Sequence, residues 1–287
     1  MTPIEFKYFA DFLKAKSGII LAADKSYLVE SRLAPIARRT GHETIADLIN
    51  AIRRAPTGPL ALDAIDAMTT NETFFFRDKT PFDNFNDTVM PAMLEARRMK
   101  RKLRIWCAAA STGQEPYSLA ICIEEMKAKM TGWNVEIVGT DLSIEALEKA
   151  RAGRYSQFEV QRGLPINLLL KYFTQDGETW KVNDDLKRKV SYKPLNLLDS
   201  FMGLGKFDII FCRNVLIYFD PKTKKDILDR LSGALAPDGF LALGAAETVV
   251  GISDKFKPIP QKRGLYGTGS NVKTTAGSAN SRIAARV

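Results

Sequence analysis

Residues 102–120 read KLRIWCAAASTGQEPYSLA. An apolar run closes in small residues and a single glycine, Gly113, and then passes into a segment with helical spacing. A buried strand that turns tightly into a helix has this pattern. The same alternation continues outward. Helical spacing over 115–130 is followed by a strand-like "VEIVGTD" (135–141) and a helical "SIEALEKARAG" (143–153). Further on, "KFDIIFCRN" (206–214) predicts a strand, 221–239 a helix and "FLALGAAE" (240–247) a strand. Strands alternating with helices predict an α/β fold, a doubly wound parallel sheet of the Rossmann-like kind. "ETWKVNDDLKRKVSYKPLNL" (178–197) alternates about a turn at NDD, which predicts a small antiparallel β-subdomain at about 172–195. Upstream, residues 1–67 read as a small all-α domain, with helical spacing in "IEFKYFADFLKAKSG" and "TIADLINAIRR". Residues 68–100 form a linker motif and a connecting helix, 101–267 the α/β domain, and 268–287 a basic, Gly/Ser/Thr/Ala-rich tail expected to be disordered.

Composition excludes several chemistries. The 287 residues contain one histidine, His42, and three scattered cysteines, so zinc sites and Ser-His-Asp catalysis are not expected. Free thiols suit a reducing cytoplasm. No apolar run is long enough to span a bilayer, and the N-terminus lacks the pattern of a signal peptide. The formal charge of +9 raises the possibility of a nucleic-acid partner. The dense basic run "RRMKRKLR" (97–104), however, reads as a solvated helix end.

In a doubly wound sheet the ligand lies outside the carboxyl ends of the strands. The first such end has one glycine where a dinucleotide fold has three, so the pyrophosphate cradle is missing. The second ends in Asp141, placed to bind a ribose diol. Asn196 and Leu197 follow a third end; Arg213 and Asn214 close a fourth, with Tyr218 one turn on. A ribose site without a pyrophosphate cradle points to a nucleoside cofactor. The motif "MTTNETFFFRD" (68–78) mounts Asn71, Thr73 and Arg77 on an aromatic wedge, Phe74–Phe76, whose rings also suit core packing.

Taken in order, "TTNETFFFR", "WCAAASTGQEPYSLA", "VGTDLS", "NLLD" and "FDIIFCRNVLIYFD" resemble the CheR-type chemotaxis receptor methyltransferases, from the N-terminal helices to about Tyr266. The resemblance implies a helical domain, a linker and a methyltransferase domain with an antiparallel subdomain. It implies S-adenosyl-L-methionine as cofactor, with S-adenosyl-L-homocysteine as product, and glutamate side chains of chemoreceptors as substrate. It further implies cofactor contacts from Asn71, Thr73, Arg77, Glu115, Asp141, Asn196, Leu197, Arg213 and Asn214. The chain departs from the pattern at Gln114, where many relatives have a second acid. A carboxylate is ionised at neutral pH and needs no general base, which leaves Arg77 and Tyr218 to hold it. An RNA- or amine-directed methyltransferase and a non-catalytic cofactor sensor are the alternatives. The first would be expected to show a proline-rich turn where this chain has "RNVLIY". The expected partner is the glutamate-rich helical domain of a receptor in the cytoplasm, met by a monomer through Arg32, Arg38 and Arg39, with Arg53 and Arg54 as weaker candidates. The loop of the β-subdomain offers only Gly177, so docking independent of a receptor's C-terminal tether is expected.

Overall fold

The computed structural model describes residues 1–269; the expected disordered tail lies, from residue 270 onward, outside the described residues. Four helices open the chain: α1 (Pro3–Ser17), α2 (Ser26–Arg39), α3 (Ile45–Arg54) and α4 (Pro59–Met68). Thr2 and Thr44 start α1 and α3 with reciprocal capping boxes. Their apolar faces close on one core around Phe9, Leu13, Leu33, Leu48 and Ile52. Pro35 sits inside α2 without ending it. The linker then runs into α5 (Thr80–Asn84), a π-helical turn (Phe85–Val89) and α6 (Met90–Ala96).

Ten strands follow. β1 (Lys102–Ala108), β2 (Asn134–Asp141), β6 (Val190–Pro194), β7 (Phe207–Cys212) and β8 (Leu235–Leu243) are parallel, while β9 (Lys257–Pro258) and β10 (Leu265–Gly267) finish the sheet antiparallel. The order β6-β2-β1-β7-β8-β10-β9 places the reversal of strand order beside β1. One face packs on the π-turn, α6 and α7 (Gln114–Glu125), the other on α12 (Pro221–Ala234). α8 (Ile144–Ala152) follows β2. The small sheet β3-β5-β4 joins Arg154–Ser156, Thr179–Val182 and Phe173–Asp176, accompanied by α9 (Gln157–Gln161), α10 (Ile166–Tyr172) and α11 (Asp184–Lys187).

Two boundaries differ from the sequence reading. The alternating stretch 178–197 is split between sheets: β5 belongs to the small one, whereas β6 runs parallel to β2 in the large one. Alternation sets which way side chains point, and α11, at the turn, redirects the chain before it can form a hairpin. The helix expected over 221–239 stops at Ala234, and β8 takes over at Leu235, two residues before Pro237. Proline lacks the N–H that a continuing helix needs.

The linker is wedged into the α/β domain. Phe75 is fully buried, edge-on to Tyr155 and Phe173, while Phe74 and Phe76 are half-buried. Gly163 makes this approach possible: a Cβ there would lie 2.1 Å from the Phe75 carbonyl oxygen. Within the basic run Arg97 pairs with Asp208 and Asp238 and Arg104 with Glu136, while Arg98, Lys100, Arg101 and Lys102 are exposed. Among the described residues, no helix is long and apolar enough to cross a membrane.

Candidate active site

A cavity of about 270 Å³ opens where the carboxyl ends of β1, β2, β6 and β7 meet the linker and the helical domain. Asn71, Thr73, Arg77, Glu115, Asp141, Asn196, Leu197, Arg213, Asn214 and Tyr218 all line it. Positions as far apart in the chain as Asn71 and Tyr218 thus share one chamber, because the strand ends open onto it and the linker crosses it. Arg32, Arg38 and Arg39 do not.

Each strand end is fixed by backbone chemistry. The Asp141 carboxylate accepts from the Ser111 amide at 2.7 Å and the Ser143 amide at 2.9 Å, tying the first loop to the second. The loop's tight path puts Ala109 and Ser111 at positive φ, a conformation that β-carbons resist and that surrounding bonds must hold. The Ser111 hydroxyl donates to the Asn71 carbonyl at 2.8 Å and so docks the linker. Gln114 lies beside the cavity with its oxygen held by the Thr112 hydroxyl at 2.8 Å. Asn196 uses both polar groups inside the protein: its amide donates to the Lys16 carbonyl at 2.7 Å and its oxygen accepts from the Leu198 amide at 3.0 Å.

Arg213 is buried and forms the electrostatic centre. It donates to Glu115 at 2.6 Å, to Asp78 at 2.8 Å and to the Arg77 carbonyl at 2.9 Å. Its Nε has no partner. A buried donor left unpaired is costly, and this one belongs to a cavity wall. Burial raises the Glu115 carboxyl above its ordinary value, opposed by Arg213; burial also raises Asp141, opposed by the Ser143 and Ser111 amides. Carboxyls raised on folding stabilise the fold when protonated, and that contribution is lost as pH rises through the raised value. Acidification therefore neutralises Asp141 already above the ordinary aspartate range, and protonation of these two buried groups favours the folded state. Ligand affinity at the cavity is expected to decline as pH falls toward the ordinary carboxylate range, while circular dichroism stays native. Affinity that holds until the protein unfolds would contradict this assignment.

The cysteines take no part. Cys107, Cys122 and Cys212 are buried, and burial pushes their thiols up, Cys122 to about 12.

Two groups of site residues escape sequence reading. The helical domain supplies a wall, Ser17, Ile19, Ile20, Leu21 and Leu28, with Lys25 from the turn before α2. It is held there by the Ile20 amide donating to the Tyr218 carbonyl at 3.1 Å and by Lys14 pairing with Asp220 at 2.9 Å. Asp66 of α4 caps α8 across the domain boundary, accepting from the Ser143 hydroxyl and from the Ile144 amide at 3.0 Å. Gly18 was the available cue: a Cβ there would meet the Phe219 ring at 2.7 Å. The second group is Glu247, buried, whose carboxylate accepts the amides of Gly244, Asn214, Val215 and Leu216 at 2.7–2.9 Å.

Of the three arginines expected to form a basic face on α2, Arg32 is turned inward, while Arg38 and Arg39 stay on the surface. Arg32 donates to the Met68 and Thr69 carbonyls at 2.8 and 2.7 Å, satisfying the open end of α4 and bracing the linker. Arg39 pairs with Asp63 at 2.7 Å. Arg38 is exposed, its Nε bonded within its own helix.

Family models place the chain as a whole. Residues 71–265 match "CheR methyltransferase, SAM binding domain", and residues 4–69 match "CheR methyltransferase, all-alpha domain". The chain belongs to the CheR methyltransferase family. Chemotaxis protein methyltransferase of Vibrio parahaemolyticus is 42% identical over 264 residues, covering 91% of this chain and 95% of that protein. Chemotaxis protein methyltransferase 1 of Pseudomonas aeruginosa is 42% identical over 265 residues, covering 91% and 96%. The Borreliella burgdorferi relative is 36% identical over 239 residues, covering 82% and 84%. As a CheR methyltransferase, the chain depends on S-adenosylmethionine. The residues present fit that group: an acidic acceptor at the second strand end, an unpaired buried guanidinium N–H, and apolar walls from Leu142, Leu195 and Met68.

Proposed function

We propose that the chain methylates glutamate side-chain carboxylates of chemoreceptors, forming γ-methyl esters. The observation that supports it most is the meeting of Asp141, Arg213 and Asn214 with Asn71, Thr73 and Arg77 in one cavity, in a chain of this family. Asp141 would hold the ribose diol, and Asn71, Thr73, Glu115, Asn196, Leu197, Arg213 and Asn214 would surround the rest of the cofactor. When bound, S-adenosylmethionine supplies an electrophilic sulfonium methyl.

The protein's own residues then have a modest task. A glutamate is already ionised at neutral pH, so no side chain has to remove a proton. One Arg77 N–H is held by the Glu72 carbonyl at 2.6 Å, which aims the rest of the guanidinium fork. Arg77 and Tyr218, both half-buried on the cavity wall, are placed to align the carboxylate. Partial burial strips water from the nucleophile without a full ion pair, which would blunt it. The turn of the β4–β5 hairpin is two residues, Gly177 and Glu178, which supports docking that does not depend on a receptor tether.

Labelled methyl is expected to pass from S-adenosylmethionine to receptor-containing membranes and to leave as volatile methanol in base. No transfer, or a base-stable product, would refute the ester assignment. Arg77→Ala and Tyr218→Phe are each expected to lower kcat at least tenfold, with the thermal midpoint within about 3 °C of wild type, since neither anchors a core. Full turnover in both variants would remove them from the site.

A further inference from the structure

Outside the cavity, one cation stands at its mouth in a pairing that mimics a substrate contact. Arg162, just past α9, holds the Glu72 carboxylate at 2.7 Å. Glu72 lines the cavity, and its carbonyl fixes Arg77. The Arg162 guanidinium lies 4.4 Å from the centre of the Phe74 ring, and that of Arg77 lies 5.6 Å from the same ring. Phe74 is therefore a shelf shared by an inner and an outer arginine. The next residue, Gly163, is seated on the Phe75 carbonyl, so Arg162 cannot drift from the linker.

Building on the function proposed above, we propose that Arg162 docks the glutamate-rich helix of the substrate, and that Glu72 occupies Arg162 until a substrate carboxylate replaces it. The exchange is chemically even, because one glutamate side chain leaves and another arrives. It is also easy. The side chains of Arg162 and Glu72 are 41% and 60% exposed, and ion pairs so exposed hold their partners only weakly. The cation–π contact holds the guanidinium in place through the exchange. The flanks suit an amphipathic helix: Phe158, one turn before Arg162, is 73% exposed, and Ile166 and Leu170 share a face of α10 at 68% and 67%. Of the arginines on α2, Arg32 is spent on the end of α4 and none lines the cavity, whereas Arg162 adjoins it through Glu72.

The test measures initial methylation rates of a purified receptor cytoplasmic fragment by the full chain, with cofactor affinity taken from calorimetry. Arg162→Ala is expected to raise KM for the fragment at least tenfold, with kcat and cofactor affinity unchanged; Arg162→Lys should recover part of the loss. Glu72→Gln is expected to lower KM two- to fivefold by removing the internal competitor. This opposite sign separates docking from bracing. If the pair merely braced the linker, both variants would raise KM, and that result overturns the proposal. So does an unchanged KM in Arg162→Ala. Should Arg162→Ala fail to bind cofactor through misfolding, the sign of the Glu72→Gln effect decides. A wild-type chain that leaves the fragment unmethylated overturns the receptor function itself, and the docking role with it.

Discussion

Replacing Asp141 with alanine is expected to weaken S-adenosylmethionine binding by at least a hundredfold while leaving the fold in place. A hydrogen bond between a charged group and a hydroxyl is worth ~1.5–3 kcal/mol, and a ribose diol would make two to this carboxylate. Even the low end of that sum exceeds two orders of magnitude in affinity. The carboxylate also holds the Ser111 amide, so its loss frees the first loop to move. The fold should survive, because the Ser111 amide it releases belongs to a residue that lines the cavity, and only the amide of buried Ser143 loses its partner away from it. Calorimetry with the cofactor and its product checks this; unchanged affinity would remove Asp141 from the ribose site. Asp141→Asn, which keeps one acceptor oxygen, should fall between.

Glu247→Ala is expected to have the largest effect on stability. One carboxylate satisfies four backbone N–H groups, from Gly244, Asn214, Val215 and Leu216. Each donor left without a partner in a buried setting costs about 1–3 kcal/mol. A total on the order of 4 kcal/mol, after partial rescue by water, corresponds to a fall in thermal midpoint of roughly 8–16 °C for a domain of this size. The loop should also lose its shape. Asn214 sits at φ 58°, a left-handed conformation that the surrounding bonds enforce. Once released, it would carry Arg213 and Tyr218 away from the cavity, so turnover should fall with stability. Differential scanning calorimetry and a methylation assay on the same sample would show both. A variant with a native midpoint and native turnover would mean that the loop holds itself.

The parts of this molecule that sequence made legible are those with local causes. Burial of β1, β2 and β7 produces apolar runs, and their carboxyl ends turn polar where they open onto the cavity; Asp141, Arg213 and Asn214 could be placed on its wall for that reason. What stayed hidden depends on partners distant in the chain. "KVSYKP" alternates as well as any hairpin strand, yet its partner is β2 and not β5. Arg32 and Arg39 carry charge on an exposed helix, and nothing nearby in sequence says that a helix end and Asp63 will claim them. Glu247 follows an ordinary small-residue run, and three of its four partners, Asn214, Val215 and Leu216, become neighbours only when β8 lies beside β7. The aromatic trio was half readable: Phe75 is core, and Phe74 is a platform for two arginines.

The helical domain roofs the cavity with residues 17–28 and caps α8 with Asp66. It is therefore not a detachable recognition module that could be exchanged between relatives to redirect specificity. A chimera bearing another relative's first 67 residues would inherit a foreign ceiling over its own cofactor chamber and a foreign cap on α8. Gly18 and Phe219 fit each other closely enough that a change in one constrains the other. Inheritance should thus keep the two halves as one unit, and receptor preference and cofactor retention should drift together.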